Sequence, residues 1–342
     1  MLINVVRLVD ATHAFSCAAK TFEVGGPDDL VLPIKFRTTG RRKNWRRRLF
    51  VALAVVGTQS PLSLPQAATI EEVIRAPVVL RTHFDGHRQE VHQDIVVTVF
   101  RDDQRQMSSY LVLNHGRLSS AAERAAFGRV RYSENSRYLV SLGFAVLVPT
   151  RIGYGVTGGP DVEYSGPCNK KDYAAGFDAA ADEVLAVLER AKTLRGVDLS
   201  HGIVVGASFG GMTAIKLTTM DLPGLAAGVN FSGGVGGDPK GRPENPCSPN
   251  QLNQLYRHYG TAARVPSLWL YSANDRYWGA RLPHQWFQSF VDAGGIARFV
   301  QLPPHGDDGH RSFTDNPPAW KPAVEGFLRD FRSGEASKPA SE

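Results

Sequence analysis

Three residues in the second half of the chain have types that could share one reaction: Ser208, Asp275 and His310, in that order. A serine hydroxyl is a weak nucleophile at its free pKa and needs a base to take its proton. An imidazole can do this through one ring nitrogen while a carboxylate holds the other, fixing the tautomer and stabilising the imidazolium that forms. The chemistry implied is acyl transfer through a covalent intermediate on the serine. Ser208 lies in Gly206-Ala207-Ser208-Phe209-Gly210-Gly211, after the apolar run Ile203-Val204-Val205 and before a helix-forming run. This reads as strand, sharp turn, helix. A serine at that apex pushes its hydroxyl into the open. The flanking glycines spare the neighbouring strand and helix a Cβ. The Phe209 amide then sits at a helix N-terminus, where an unpaired N–H can hold a developing oxyanion. An ordinary tight turn with an incidental serine would give the same motif; the downstream acid and base favour the catalytic reading.

Rivals exist for each role. His305 lies five residues before His310, with Asp307 and Asp308 between them. A metal site on these four is a weaker reading, because one short loop seldom positions four ligands. His310 is preferred as base because the loop needs length to swing back over the nucleophile. Asp275 is preferred to Asp292 because it follows a strand, whereas Asp292 sits late in a helix. Tyr154, between Gly153 and Gly155, is a candidate for the substrate pocket wall, with simple loop packing as the alternative. Tyr277 and Trp278 could also form a wall, but aromatics in such places are more often core.

These residues need a frame. The segment from Ile70 to Asp103 is β-rich and reads as an antiparallel start: Glu72–Arg75, Val78–Arg81 and Asp94–Phe100, with Asp85-Gly86 as a turn. Apolar runs of buried-strand type follow at 109–114, 145–149, 224–231, 266–271 and 297–302. Helical patterns alternate with them at 137–142, 172–194, 251–263, 282–293 and 320–331, the longest with an apolar stripe at Ala179, Val184, Leu185 and Leu188. Alternation of this kind predicts an α/β class: a mostly parallel central sheet of about eight strands with helices on both faces. Ser208, Asp275 and His310 all follow strands, at the sheet end where ligands gather. Residues 151–171 and 232–250 are Gly/Pro-rich loops over that end.

Taken together, Asn114-His115-Gly116-Arg117, Arg151-x-Gly153-Tyr154-Gly155, Gly206-x-Ser208-x-Gly210-Gly211, Asn274-Asp275 and Gly309-His310 resemble the α/β-hydrolase superfamily, in particular its dienelactone-hydrolase-like and esterase group. The resemblance runs from about Ile70 to Phe331. It implies the α/β-hydrolase fold and hydrolysis of an ester or lactone with no metal and no organic cofactor. It also implies a second oxyanion amide from the turn after the third core strand, that of Arg117. Many dienelactone hydrolases use cysteine as nucleophile; the serine here favours an esterase acting on a small-molecule ester. Two alternatives remain: a peptidase of the prolyl-oligopeptidase type, and a non-catalytic binding module on the same fold. About 35 residues precede the first core strand of the exported part, too few for the propeller such peptidases usually carry.

The net charge of +6 is unevenly spread. Residues 1–68 hold ten of the 39 Lys/Arg and four of the 33 Asp/Glu, leaving 29 of each in the remainder. The folded part has no basic footprint, which argues against nucleic acid as a partner. The basic excess centres on Arg41–Arg48, followed by the apolar run Leu49–Val56 and a small-residue end at Ala67-Ala68. This reads as a secretory signal, too short for a membrane span. A periplasmic or secreted protein is expected, with a cytoplasmic protein bearing a basic arm as the alternative. Met1–Gly40 is then a long n-region or the product of a start codon placed too far upstream. Residues 1–68 are expected as leader, 69–333 as the hydrolase-like domain and 334–342 as a disordered tail. Cys17 falls in the leader, so Cys168 and Cys247 form an even pair in the exported part. Export favours a disulfide, with two free thiols as the alternative.

Overall fold

Nearly continuous apolar runs cannot form half-exposed strands, and here they become the interior of a parallel sheet. The computed structural model describes residues 69–84, 87–222 and 224–332. All of them lie in the compact unit Ser63–Glu342. The leader and tail read from the sequence fall outside the described residues. Eight strands are ordered β1-β2-β4-β3-β5-β6-β7-β8: β1 Thr69–Phe84, β2 His87–Asp102, β3 Ser108–Asn114, β4 Phe144–Thr150, β5 Val197–Ala207, β6 Leu225–Phe231, β7 Ser267–Ser272 and β8 Ala297–Leu302. Strands β3 to β8 pair in parallel. β4 and β7 are buried along their whole length, as expected of strands covered on both faces.

The antiparallel start is longer and simpler than the sequence suggests. β1 and β2 form one hairpin paired along both 16-residue strands, and β2 joins β4 antiparallel across Val96–Phe100. Pro77 breaks the sequence pattern but not the strand, because β1 is the sheet edge and one side of its backbone needs no donor.

Among the described residues there are eight α-helices: α1 Ala121–Ala125, α2 Ser133–Ser141, α3 Tyr173–Ala191, α4 Phe209–Leu217, α5 Pro249–Ala262, α6 Arg281–Asp292, α7 Ser312–Asp315 and α8 Pro317–Arg332. Strand alternation sends neighbours to opposite faces. Tyr110, Val112, Ala145, Leu147 and Val204 pack with α3 and α4 through Ala179, Val184, Val187, Ala214 and Leu217. Leu111, Leu113, Val146, Val148, Ile203 and Val205 pack with α2 and α8 through Leu139, Trp320, Val324 and Leu328. A third cluster joins α5 and α6 to Phe177, Phe209, Trp269 and Trp278, of which Phe209 and Trp278 follow the C-terminal ends of β5 and β7. At that same end, residues 151–172 lead from β4 into α3 and residues 232–248 lead from β6 into α5.

Candidate active site

Ser208 is the one residue between β5 and α4. Its φ of 55° and ψ of −122° are a conformation that side chains rarely adopt, held by its neighbours. Ser208 N donates to Phe231 O, and Gly211 N and Met212 N donate to Ser208 O. A Cβ on Gly206 would lie 2.0 Å from Gly210 O, and one on Gly210 would lie 2.3 Å from Asn114 O and 2.6 Å from His115 O. Backbone atoms cannot step aside as a flexible side chain can. Gly210→Ala is therefore expected to cost about 3 kcal/mol, read by denaturant unfolding. A variant as stable as wild type would show that this turn has slack.

Asp275 follows β7, and His310 lies in a 3₁₀ turn, Gly309–Arg311, after β8. His310 Nδ1 is 2.9 Å from Asp275 Oδ2. The Asp275 carboxylate is fully buried, and its Oδ1 accepts from the amides of Tyr277 (2.8 Å) and Trp278 (3.3 Å). The His310 ring stacks on Tyr277 at 3.9 Å and meets Trp278 edge-on at 5.5 Å. Both aromatics, set aside as core from the sequence, hold this imidazole. They also line a cleft of about 860 Å³ with Ser208, Arg117, Val235 and Cys247. Among the described residues no hydrogen bond joins Ser208 to His310, whose Nδ1 is taken by Asp275. His305, Asp307 and Asp308 do not join the pair: Asp308 Oδ1 instead accepts from the amides of Arg276 and His310, bracing the loop.

The turn after β3 comes close to the serine: a Cβ on Gly116 would lie 3.2 Å from Ser208 Cβ. Its orientation is set from behind by His115. That ring is fully buried, and burial, then the Arg151 charge, drive its pKa well below the usual imidazole value. His115 is therefore neutral. Its Nε2 accepts from Arg151 N at 3.1 Å, so Nδ1 carries the proton and donates to Gly116 O at 2.7 Å. In a trans peptide the carbonyl and the next N–H point opposite ways. Holding Gly116 O thus turns the Arg117 N–H away from His115. Neither the Arg117 N–H nor the Phe209 N–H donates to another described residue. The Arg117 side chain turns to a bidentate pair with Asp161, at 2.7 Å from each nitrogen.

Arg151 is the buried strut behind this turn. Its Nη1 donates to His115 O at 2.7 Å and its Nε to Glu163 Oε1, both side chains being wholly buried. Burial alone would raise the Glu163 carboxyl, but Arg151 and Arg117 outweigh it and hold it below the ordinary value. Tyr154 Oη also donates to Glu163, at 2.7 Å. Tyr154 is fully buried against His115, with ring centroids 4.6 Å apart. The structure thus places it behind the turn and not on the cleft wall expected from the sequence. The physical reason is the carboxylate nine residues on, which offers the phenol a buried acceptor.

Removing one partner of a buried pair leaves the other charge stranded. Arg151→Met is expected to destabilise the protein by about 3–5 kcal/mol in denaturant unfolding. Lysine should not rescue it, since one ammonium cannot reproduce the planar fork that spans Glu163 and His115 O. A loss under about 1 kcal/mol would contradict this role.

Glu183 on α3 is wholly buried; its Oε2 accepts from Ile152 N at 2.8 Å and its Oε1 has no partner. Burial pushes its carboxyl up from 4.5 to about 8. The folded state therefore holds this proton where the unfolded chain has lost it, and stability falls as pH rises from 4.5 towards 8. Thermal unfolding of wild type and Glu183→Gln between pH 5 and 8 should show the wild type losing more stability with rising pH. Parallel pH profiles would refute the assignment.

Cys168 and Cys247 form a disulfide joining the two overhanging loops. No protein-family model matches the chain, and no curated protein sequence matches it. Among solved structures it is similar to the acylaminoacyl peptidase of Pyrococcus horikoshii, at 12% identity and a TM-score of 0.52 over 81% of this chain and 43% of that one. The chain thus spans less than half the length of that peptidase. It is similar also to a CIB-like hydrolase from Thermoplasma acidophilum (13% identity, 75% of this chain, 99% of that one, TM-score 0.48). A third likeness is to Est1E from Butyrivibrio proteoclasticus (15%, 75%, 99%, TM-score 0.44). With its sheet order and its strand–serine–helix turn, the chain has the α/β-hydrolase fold.

Proposed function

We propose that the protein is a serine hydrolase that cleaves a carboxylic ester, or a lactone, through an acyl-enzyme on Ser208. The observation that carries the reading is the buried Asp275–His310 pair, packed on two aromatics that line the same cleft as the strained serine. When an ester is bound, His310 Nε2 takes the Ser208 proton as Oγ attacks the carbonyl. Catalytic hydrogen bonds often close only in such complexes. The amides of Phe209 and Arg117 hold the oxyanion, each worth about 3 kcal/mol. The imidazolium then gives its proton to the leaving alcohol, and water repeats the sequence to release the acid.

An ester is favoured over a peptide because the motifs around Ser208, Asp275 and His310 resemble the dienelactone-hydrolase-like and esterase group. A peptidase remains the second reading, because acylaminoacyl peptidase shares the fold over 81% of this chain. Hydrolysis of p-nitrophenyl acetate set against a peptide p-nitroanilide decides between them. Ester turnover alone is the expected result; turnover of the anilide alone would overturn the ester assignment.

The disulfide suits an oxidising compartment, which supports the proposed export of the chain to the periplasm or beyond. No helix among the described residues is long and apolar enough to cross a membrane.

A further inference from the structure

The two halves of the disulfide differ in their surroundings. Cys168 is exposed at the end of the first loop, whereas Cys247 is buried and lines the cleft. Arg242 reaches both sulfurs: Nη1 lies 2.8 Å from Cys168 Sγ and Nη2 lies 3.1 Å from Cys247 Sγ. Its carboxylate partner, Asp238, is 3.9 Å from Nε. A guanidinium fixed on a sulfur favours the thiolate and so makes that sulfur a better leaving group.

The bridge is also wired to the nucleophile through one loop. Cys247 N donates to Gly236 O at 2.9 Å, and Gly234 N donates to Ser208 O at 3.2 Å. Tyr173 Oη donates to Cys247 O, and Ser248 Oγ donates to Cys168 O at 3.3 Å. The segment 234–248 is thus anchored at one end on the serine's carbonyl and at the other on the sulfurs.

We propose that this bridge is a redox-sensitive clasp on the cleft: a dithiol reductant opens it, the 232–248 loop loosens, and affinity for substrate falls while the Asp275–His310 pair stays formed. This rests on the Ser208 cleft being the reaction site. A reductant thiolate attacks the exposed Cys168 Sγ, the S–S bond breaks, and Cys247 leaves as a thiolate beside Arg242. The second reductant thiol then displaces Cys168 from the mixed disulfide. Two electrons and two protons pass to the protein, which ends with two thiols, and the reductant ends as its own disulfide. A bridge serving only as a staple needs neither an accessible sulfur nor a cation on the leaving group.

The test uses the full chain in a Cys17→Ser background, equilibrated in dithiothreitol buffers of graded reduced-to-oxidised ratio. Thiol titration gives the midpoint, near-UV circular dichroism reads tertiary packing, and p-nitrophenyl acetate gives KM and kcat. Hydrogen exchange over 232–248 reads the loop whether or not ester is turned over. Reduction should release two thiols, raise KM roughly fivefold or more with kcat within about twofold, and speed exchange in that loop while the circular dichroism persists. Cys168→Ser/Cys247→Ser should reproduce these values and ignore reductant. Arg242→Gln should require a roughly tenfold higher reduced-to-oxidised ratio at the midpoint. The proposal is overturned if two thiols appear with KM and loop exchange unchanged, if the circular dichroism is lost with them, or if Arg242→Gln leaves the midpoint in place. A protein inert to esters yet showing the loop and midpoint changes would instead count against the hydrolase reading alone.

Discussion

Ser208→Ala will lower kcat for p-nitrophenyl acetate by roughly 10⁴-fold or more and leave the melting temperature within about 2 °C of wild type. The size of the first effect follows from the proposed mechanism. Without Oγ there is no acyl-enzyme, and the surviving oxyanion amides and binding cleft support only the residual reaction with water. The small second effect follows from the structure. Ser208 already holds a φ of 55°, so alanine inherits that strain without adding to it. The backbone bonds that define the turn run through Ser208 N and O and survive the change. A variant that kept more than about a tenth of wild-type kcat, with the fold intact, would mean that the hydroxyl is not the nucleophile.

Asp275→Asn is the second large effect, and it isolates orientation from packing. The amide oxygen of asparagine can still accept from the Tyr277 and Trp278 amides, as Oδ1 does now. Its NH₂ then faces His310 Nδ1, where a carboxylate oxygen lies at 2.9 Å in the wild type. A donor facing Nδ1 forces the imidazole into the tautomer protonated on Nε2, which cannot take a proton from serine. The expected loss in kcat is roughly 10⁴-fold at neutral pH, with KM changed by no more than about threefold. A loss under about tenfold would show that another group orients the ring.

Several of these features were legible in the residues, for reasons that can be named. The turn at Ser208 is written locally: a β-branched run, two glycines and a helix-forming run leave few alternatives, and contacts under 2.5 Å at both glycine positions explain why no larger residue stands there. The Asp275–His310 contact was reachable because both residues follow strands whose C-terminal ends meet at one edge. With Cys17 assigned to the leader, the remaining pair of cysteines pointed to the disulfide. What stayed hidden depends on where long loops fold back. Arg151 and Glu163 look like solvated loop charges until the chain buries them together. Tyr154 follows them, which is why its place behind the turn could not be read. Tyr277 and Trp278 carry no periodicity that separates a wall around a histidine from ordinary core. Helix α1 had a readable mark, the Ser120–Glu123 capping box, but its five residues give too little apolar pattern to draw the eye.

In the proposed reaction the hydroxyl at residue 208 is the group that becomes acylated. Treating the wild-type protein with a fluorophosphonate and mapping the adduct by peptide mass spectrometry tests it most directly. One phosphonylated serine is expected, in the peptide containing Ser208, formed at a rate that drops sharply in Asp275→Asn. An adduct on another residue, or none on a folded protein that still hydrolyses esters, would contradict it.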